Sequence, residues 1–283
     1  MIMIKRGLSV LSSSQINFYK TQGYLVLPKF VEKPAVDELK SQVLKLIEDW
    51  NTADYNIFTT NHQTRTTNEY FLESAENISF FFEERANEAN TKDKSKLINK
   101  LGHAMHDLDP VFERFSYSPS FRRILADIGY QKPQIVQSMY IMKPPSIGGE
   151  VKIHQDNSYL ITEPSSCIGI WVAVEDAKKD NACMWAVPGS HKLGTLTYFS
   201  RSGDEVTYTN EAEYSSENGV CLEVEAGSVI LLHGDLVHWS DMNRSNKSRH
   251  AYTLHIVESE STKWSDNNWI QRKNLPFKTW SLS

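Results

Sequence analysis

Ala226-Gly227-Ser228-Val229-Ile230-Leu231-Leu232-His233-Gly234-Asp235-Leu236-Val237-His238-Trp239-Ser240 is the stretch that decides the fold class. Residues 228–233 read as a short buried strand, Gly234-Asp235 as a turn, and the residues after it as a second short strand that carries His238. The same character extends to both sides. Runs at 135–142, 152–154, 168–175, 183–187, 222–224 and 249–257 are short, β-branched or aromatic, and separated by turn residues. This is the signature of an antiparallel sandwich or barrel. Upstream the chain is helical with one early strand at 24–27. Ser12 with Gln15 forms a capping box, Gly23 suits a helix end, and Pro34 opens a helix whose Val36, Leu39, Val43, Leu46 and Trp50 recur at helical spacing. Asp109-Pro110 caps a further helix over 110–128, interrupted near Pro119. Residues 51–95 are polar apart from Phe80-Phe81-Phe82 and read as an insertion or lid. Helices first and strands second, without a long linker, predict one domain over 1–283. It is mainly β with flanking helices: helical support over about 12–130 and a β-core over about 134–260.

Composition narrows the function. The 283 residues carry 30 Lys+Arg and 35 Asp+Glu, a net charge of −5, and show no basic stripe, which argues against a nucleic-acid partner. A 40 % hydrophobic content with 12 Tyr, 12 Phe and 7 Trp is that of a globular chain rather than a disordered one. The longest clean apolar run, 168–174, is far short of the ~20 residues of a membrane span. Cys167, Cys183 and Cys221 form neither a CxxC pair nor an even secreted framework, and read as reduced core thiols of an intracellular protein. Cytoplasmic residence is expected. The acid-free start Met-Ile-Met-Ile-Lys-Arg leaves a weak mitochondrial leader as the alternative, and the ending Trp280-Ser281-Leu282-Ser283 is not the peroxisomal Ser-Lys-Leu. The pattern specifies no oligomeric state.

Chemistry concentrates at a few residues. His154-Gln155-Asp156 ends a short strand, where residues two apart share a face, so an imidazole and a carboxylate converge. One more histidine would complete the two-His, one-carboxylate facial triad of non-haem iron oxygenases, which leaves coordination positions open. His238 is the favoured third member and His233 the competitor. Arg249 opens a strand in which it shares one face with Ala251, Thr253 and His255. A cation over small residues suits an elongated anion, because guanidinium donates two parallel hydrogen bonds to a carboxylate and Ser240 can add a third. Arg244, among Asn243, Ser245 and Asn246, reads as a turn residue, and His103 with His106 as a structural pair on a helix. The same triad also suits a zinc hydrolase, or a non-catalytic cupin-like protein that holds a metal or ligand for stability.

Taken together, His154-x-Asp156, His238, Ser240 and Arg249, with Pro188-Gly189-Ser190-His191 inside 148–191, resemble the Fe(II)- and 2-oxoglutarate-dependent phytanoyl-CoA dioxygenase family. The likeness continues through Tyr70-Phe71-Leu72, Ile98-Asn99-Lys100-Leu101-Gly102-His103, Gln137-Ser138-Met139-Tyr140-Ile141 and the tail 264–277, nearly the whole chain from about residue 8. The resemblance implies a double-stranded β-helix, the jelly-roll or cupin-like barrel with iron at its mouth. It implies His154, Asp156 and His238 as iron ligands and catalytic centre, and Arg249 and Ser240 on the distal carboxylate of 2-oxoglutarate. Lys100, Met139 and Trp171 fall where this subgroup lines the cosubstrate pocket; otherwise they read as a solvated helix lysine and two core residues. The implied reaction converts 2-oxoglutarate and O2 to succinate and CO2, with ascorbate in support and hydroxylation of a small-molecule or lipid-like substrate. Halogenating relatives lack the carboxylate that Asp156 supplies, which favours hydroxylation. Ala182 stands where the family often has glycine, in a turn where little loss is expected.

Overall fold

A computed structural model of the chain describes residues 9–51, 56–57, 69–202, 205–209 and 212–280. The leader-like residues 1–6, His62 and Ser281-Leu282-Ser283 lie outside the described residues.

Helix α1 (Ser13–Gln22) starts on the capping box, with Gln15 N donating to Ser12 Oγ at 3.2 Å and Ser12 N donating to Gln15 Oε1 at 2.8 Å. It ends at Gly23, whose φ of 81° turns the chain into β1 (Tyr24–Leu27). Helix α2 (Lys33–Asp49) buries Val36, Leu39, Val43 and Ile47 on one face. Each such side chain contributes about 1.5–3 kcal/mol when fully buried. There follow β2 (Asn56–Ile57), α3 (Glu69–Glu73), β3 (Ile78–Phe82), β4 (Ile98–His103), α4 (Met105–Leu108), α5 (Pro110–Ser116) and α6 (Pro119–Ile128). The break between the last two helices falls at Pro119, as the sequence predicts. The β-rich part contains β5 (Pro133–Ile141), β6 (Val151–His154), β7 (Thr162–Glu163), β8 (Ile168–Ala173), β9 (Met184–Ala186), β10 (Tyr198–Ser202) and β11 (Glu205–Thr209). It closes with β12 (Val220–Leu222), β13 (Val229–His233), β14 (His238–Ser240), β15 (Ala251–Glu258) and β16 (Lys263–Trp264).

An eight-stranded sheet in the order β1-β13-β8-β15-β5-β4-β3-β2 faces a four-stranded sheet in the order β12-β9-β14-β6. Apart from the parallel β2–β3 pair, the ladders of these two sheets are antiparallel. Strand β8 shows why the sheets stack. Ile168, Ile170 and Val172 join the core beneath the helices with Leu39, Phe112 and Leu125, while Trp171 and Ala173 join Met184, Ala186 and Leu222 of the smaller sheet. A strand covered on both faces reads as a continuous apolar run, the pattern seen at 168–174. This is the jelly-roll expected from the sequence.

The region assigned to helical support and insertion is partly a correction. Residues 78–82 and 98–103 are strands that widen the large sheet. Phe80 stacks on Trp50 of α2 with ring centroids 4.4 Å apart, and Phe81 meets Phe71 on the other face. The aromatic island is therefore strand β3 rather than a lid. Lys100 is on β4 rather than on a helix, and His103 ends that strand, so only His106 is helical. Asn99, Lys100 and His103 line a cavity, which gave this segment a polar look.

Ala182 has a φ of 71°, in the left-handed region. Relief of about 1–2 kcal/mol of strain by glycine is offset by about 0.4–1 kcal/mol of unfolded-chain entropy and about 0.8 kcal/mol for the lost buried methyl. Ala182→Gly is expected to leave the urea midpoint nearly unchanged, whereas Ala182→Val lowers stability by about 2 kcal/mol or more; equal midpoints for Val and Gly would contradict this.

Candidate active site

Strands β6 and β14 run antiparallel with His154 directly opposite His238, and their rings lie 4.3 Å apart. Asp156, just past β6, reaches back between them, with Oδ1 3.5 Å from His154 Nε2 and 3.7 Å from His238 Nε2. One ligand atom from each of the three residues lies within 4.8 Å of the others, so the group could hold a metal ion. Gln155 turns the opposite way and anchors this strand end. Its Nε2 donates to the carbonyls of Gly194 and Asp235 at 2.9 and 2.7 Å, and its Oε1 accepts from Leu196 N at 2.8 Å. Asn157 ties the same turn to Asp235 Oδ1 at 2.8 Å, packed so closely that a Cβ on Gly234 would come within 2.6 Å of the Asn157 Oδ1.

The hydrogen bonds set the histidine tautomers. His154 Nδ1 is 2.7 Å from Lys152 O and His238 Nδ1 is 2.9 Å from Leu236 O. A carbonyl can only accept, so each Nδ1 carries a proton, and Nε2, which faces Asp156, is left as the atom to bind a metal. Burial, reinforced by His154, pushes the His238 imidazole down to about 4, so it is neutral at pH 7. Burial works to raise the Asp156 carboxyl, but His255 and His238 hold it well below the usual carboxylate range. The second Asp156 oxygen, Oδ2, lies 3.4 Å from His255 Nε2. His255 sits on β15 opposite Gly169, where a Cβ would stand 3.2 Å from Asp156 Oδ2.

A cavity of about 840 Å³ opens over the triad, and Lys100, Met139, Ser240 and His255 line it together with His154 and Asp156. Lys100 Nζ is 3.8 Å from Met139 Sδ and faces the rings of Phe71 and Phe81. Arg249, 1 % exposed, lies behind the lining. Its Nη2 donates to Ser240 Oγ at 3.1 Å, its Nε donates to Ala182 O at 3.1 Å, and its guanidinium carbon stands 5.4 Å from the Trp171 ring. Among the described residues, Arg249 Nη1 and Trp171 Nε1 are buried donors with no hydrogen-bond partner. Such groups carry a desolvation penalty of about 1–3 kcal/mol each unless something accepts from them. Burial lowers the Arg249 guanidinium to about 10, so it stays charged at neutral pH.

One expectation changes. Ser240 Oγ donates its proton to Ala182 O at 3.0 Å while accepting from Arg249, so in this arrangement the hydroxyl orients the guanidinium and has no proton left to add a third bond to a carboxylate. The competing residues fall elsewhere: His233 packs on His191 with rings 5.0 Å apart, and Arg244 is exposed. Sequence reasoning assigned no role to Lys143, a buried lysine on the cavity wall whose Nζ donates to the carbonyls of Gly149 and Asp241. Burial, then the nearby Arg249, lowers its ammonium to about 7. Lys143-Pro144-Pro145 reads as a loop and gives no sign of this. His255 was visible only as a residue sharing the Arg249 face.

Residues 19–251 match the phytanoyl-CoA dioxygenase (PhyH) family. The chain is 46 % identical over 270 residues to a phytanoyl-CoA dioxygenase of Arabidopsis thaliana, covering 94 % of this chain and 95 % of the relative. It is 37 % identical over 288 residues to phytanoyl-CoA dioxygenase domain-containing protein 1 of Mus musculus, covering 95 % and 98 %. Among solved structures, EctD from S. alaskensis with bound Fe shares the fold, with a TM-score of 0.66 at 18 % identity over 95 % of this chain and 84 % of that one. The family match and the shared fold place the chain among the 2-oxoglutarate-dependent non-haem iron oxygenases, a class of enzymes. Within that class, the chain belongs to the phytanoyl-CoA dioxygenase family.

Proposed function

We propose that this chain binds Fe(II) through His154 Nε2, Asp156 Oδ1 and His238 Nε2, and holds 2-oxoglutarate with Arg249, oriented by Ser240 and flanked by Trp171. Lys100 and Met139 line the cosubstrate side of the cavity, and the substrate is a small organic molecule that becomes hydroxylated. The overall balance is 2-oxoglutarate + O2 + R–H giving succinate + CO2 + R–OH. The donor set fits the metal: two imidazole nitrogens and one carboxylate oxygen converge, and both imidazoles are oriented by their carbonyl partners. Bound iron supplies the activation of oxygen that no side chain of the protein can perform.

The observation that carries the reading is the buried, charged Arg249 whose Nη1 has no partner among the described residues. A zinc hydrolase or a structural cupin has no use for such a cation, whereas a dicarboxylate fills it with charge-assisted hydrogen bonds. The chain's own part is to orient and to exclude water. Ala182 O and Ser240 Oγ hold the guanidinium in one plane, and Phe71, Tyr159, Phe199 and Trp239 wall the cavity with apolar surface. Exposed Glu150 and Lys152 on the cavity lining bring opposite charges, which does not select for the phosphates of coenzyme A. The test is incubation with Fe(II), ascorbate and 2-oxoglutarate, followed by untargeted comparison of metabolites gaining one oxygen. Mass gains equal in wild type and Asp156→Ala would refute the hydroxylation reading.

His255 Nε2 stands 3.4 Å from Asp156 Oδ2, where an imidazole bears on the orientation and charge of the carboxylate. His255→Leu is therefore expected to weaken Co(II) binding roughly tenfold, the effect of losing an outer partner of a metal ligand. Competition against a metal indicator dye measures it, and an unchanged affinity would remove His255 from the account.

A further inference from the structure

Cys183 Sγ and Cys221 Sγ lie 3.1 Å apart, well inside the roughly 3.5–4.0 Å at which even the smaller carbon atoms pack. The pair is 38 residues apart in sequence and meets because β12 pairs with β9: Cys221 stands opposite Trp185, and Cys183 immediately precedes β9. Cys183 is fully buried, whereas Cys221 is partly exposed. The residue before Cys183 is Ala182, whose carbonyl accepts from both Ser240 Oγ and Arg249 Nε.

We propose that Cys183 and Cys221 are a modification site, a dithiol that a peroxide-class oxidant converts to a reversible disulfide that weakens the hold of Arg249 on its anion. Cys221 reacts first because solvent reaches it and the thiolate is the nucleophile, whereas burial and contact with Cys221 push the Cys183 thiol up. The Cys221 sulfur attacks one peroxide oxygen, the O–O bond breaks, and a sulfenic acid and one water result. Cys183 sulfur then attacks the sulfenic sulfur, the S–O bond breaks, and the hydroxyl leaves as a second water with the thiol proton. Two thiols are oxidised and one peroxide is reduced to two waters.

Forming the bond draws the sulfurs to about 2.05 Å. Cys221 is held in the β12–β9 ladder, while the other end of the link is a turn outside any strand, in which Ala182 has a φ of 71°, a conformation disfavoured for non-glycine residues. The turn yields, the Ala182 carbonyl moves with Cys183, and Arg249 loses the acceptor that fixes its Nε. The consequence for 2-oxoglutarate, unlike the cross-link itself, rests on the reading of Arg249 given above.

The test oxidises the full chain with a small excess of hydrogen peroxide, blocks the remaining thiols, and maps peptides without reduction. A Cys183–Cys221 peptide with Cys167 still alkylated is expected, absent in Cys221→Ser and present in Cys167→Ser. A cross-link through Cys167, or Cys221 ending as sulfinic acid with no cross-link, would overturn the site. Titration of 2-oxoglutarate into Mn(II)-loaded protein should show the dissociation constant rising roughly tenfold on oxidation, as for loss of a hydrogen bond to a charged group, and recovering with dithiothreitol. A cross-link with unchanged affinity overturns the coupling. Failure of the reduced protein to bind 2-oxoglutarate at all, with the cross-link formed, overturns the coupling and the Arg249 reading but not the modification site.

Discussion

Asp156→Ala is expected to abolish Fe(II) retention and to cut succinate formation by a factor of roughly 10³, about 4 kcal/mol in the barrier. The carboxylate is the only anionic member of the triad, and its two oxygens do different work: Oδ1 lies between the two Nε2 atoms and Oδ2 against His255. Its loss leaves only two imidazoles, with no anionic ligand, to hold a dication. Asp156→Asn separates charge from shape, because the amide keeps the volume and one carbonyl oxygen, and it should retain weak metal binding with little turnover. Metal content by elemental analysis after gel filtration, beside succinate by mass spectrometry, reads both effects. An Asp156→Ala protein that keeps stoichiometric iron and turns over at the wild-type rate would remove the triad from the account.

Arg249→Ala is expected to raise the dissociation constant for 2-oxoglutarate roughly a hundredfold, about 3 kcal/mol, while leaving metal affinity within a factor of about two. Truncating one partner of a buried charge pair costs about 2–5 kcal/mol. Arg249→Lys recovers only part of it, since an ammonium cannot reproduce the planar fork that reaches Ser240 Oγ, Ala182 O and an anion together. Because Arg249 is 1 % exposed, both variants are compared by thermal melting before titration, and the lysine variant keeps most of the packing. Equal 2-oxoglutarate affinity in wild type and both variants would assign the anion to Lys100 or Lys143, the buried amines that line the cavity itself.

How much of this was legible in the residue order depends on how local each signal is. His154 and Asp156 could be paired because alternate residues at a strand end share a face, whereas Arg249, read as opening a strand, stands two residues before β15 at the end of the turn that follows β14. Runs such as 168–174 were readable as strands because a strand covered on both faces is apolar throughout. Strands β3 and β4 were not, since β4 owes its place to pairing with β5 and to a cavity that accepts Asn99, Lys100 and His103, and β3 to pairing with β4. The contact of His255 with Asp156 depends on the β15–β8 register opposite Gly169, and no local pattern encodes a register between strands some 80 residues apart. The proton of Ser240 was misassigned for the same reason: its acceptor, Ala182 O, comes from a turn 58 residues earlier in the chain. The Cys183–Cys221 approach is likewise set by the pairing of β12 with β9.

The claim at the centre is that Arg249 and the triad serve one reaction, in which 2-oxoglutarate is split by dioxygen. Incubation of the wild-type protein with Fe(II), ascorbate and 2-oxoglutarate under oxygen-18 gas, with mass spectrometry of the succinate, tests it most directly. The account predicts succinate carrying one heavy oxygen atom, formed only with Fe(II) and lost in Asp156→Ala. Succinate without the label, or none from protein that binds both Fe(II) and 2-oxoglutarate, would contradict it.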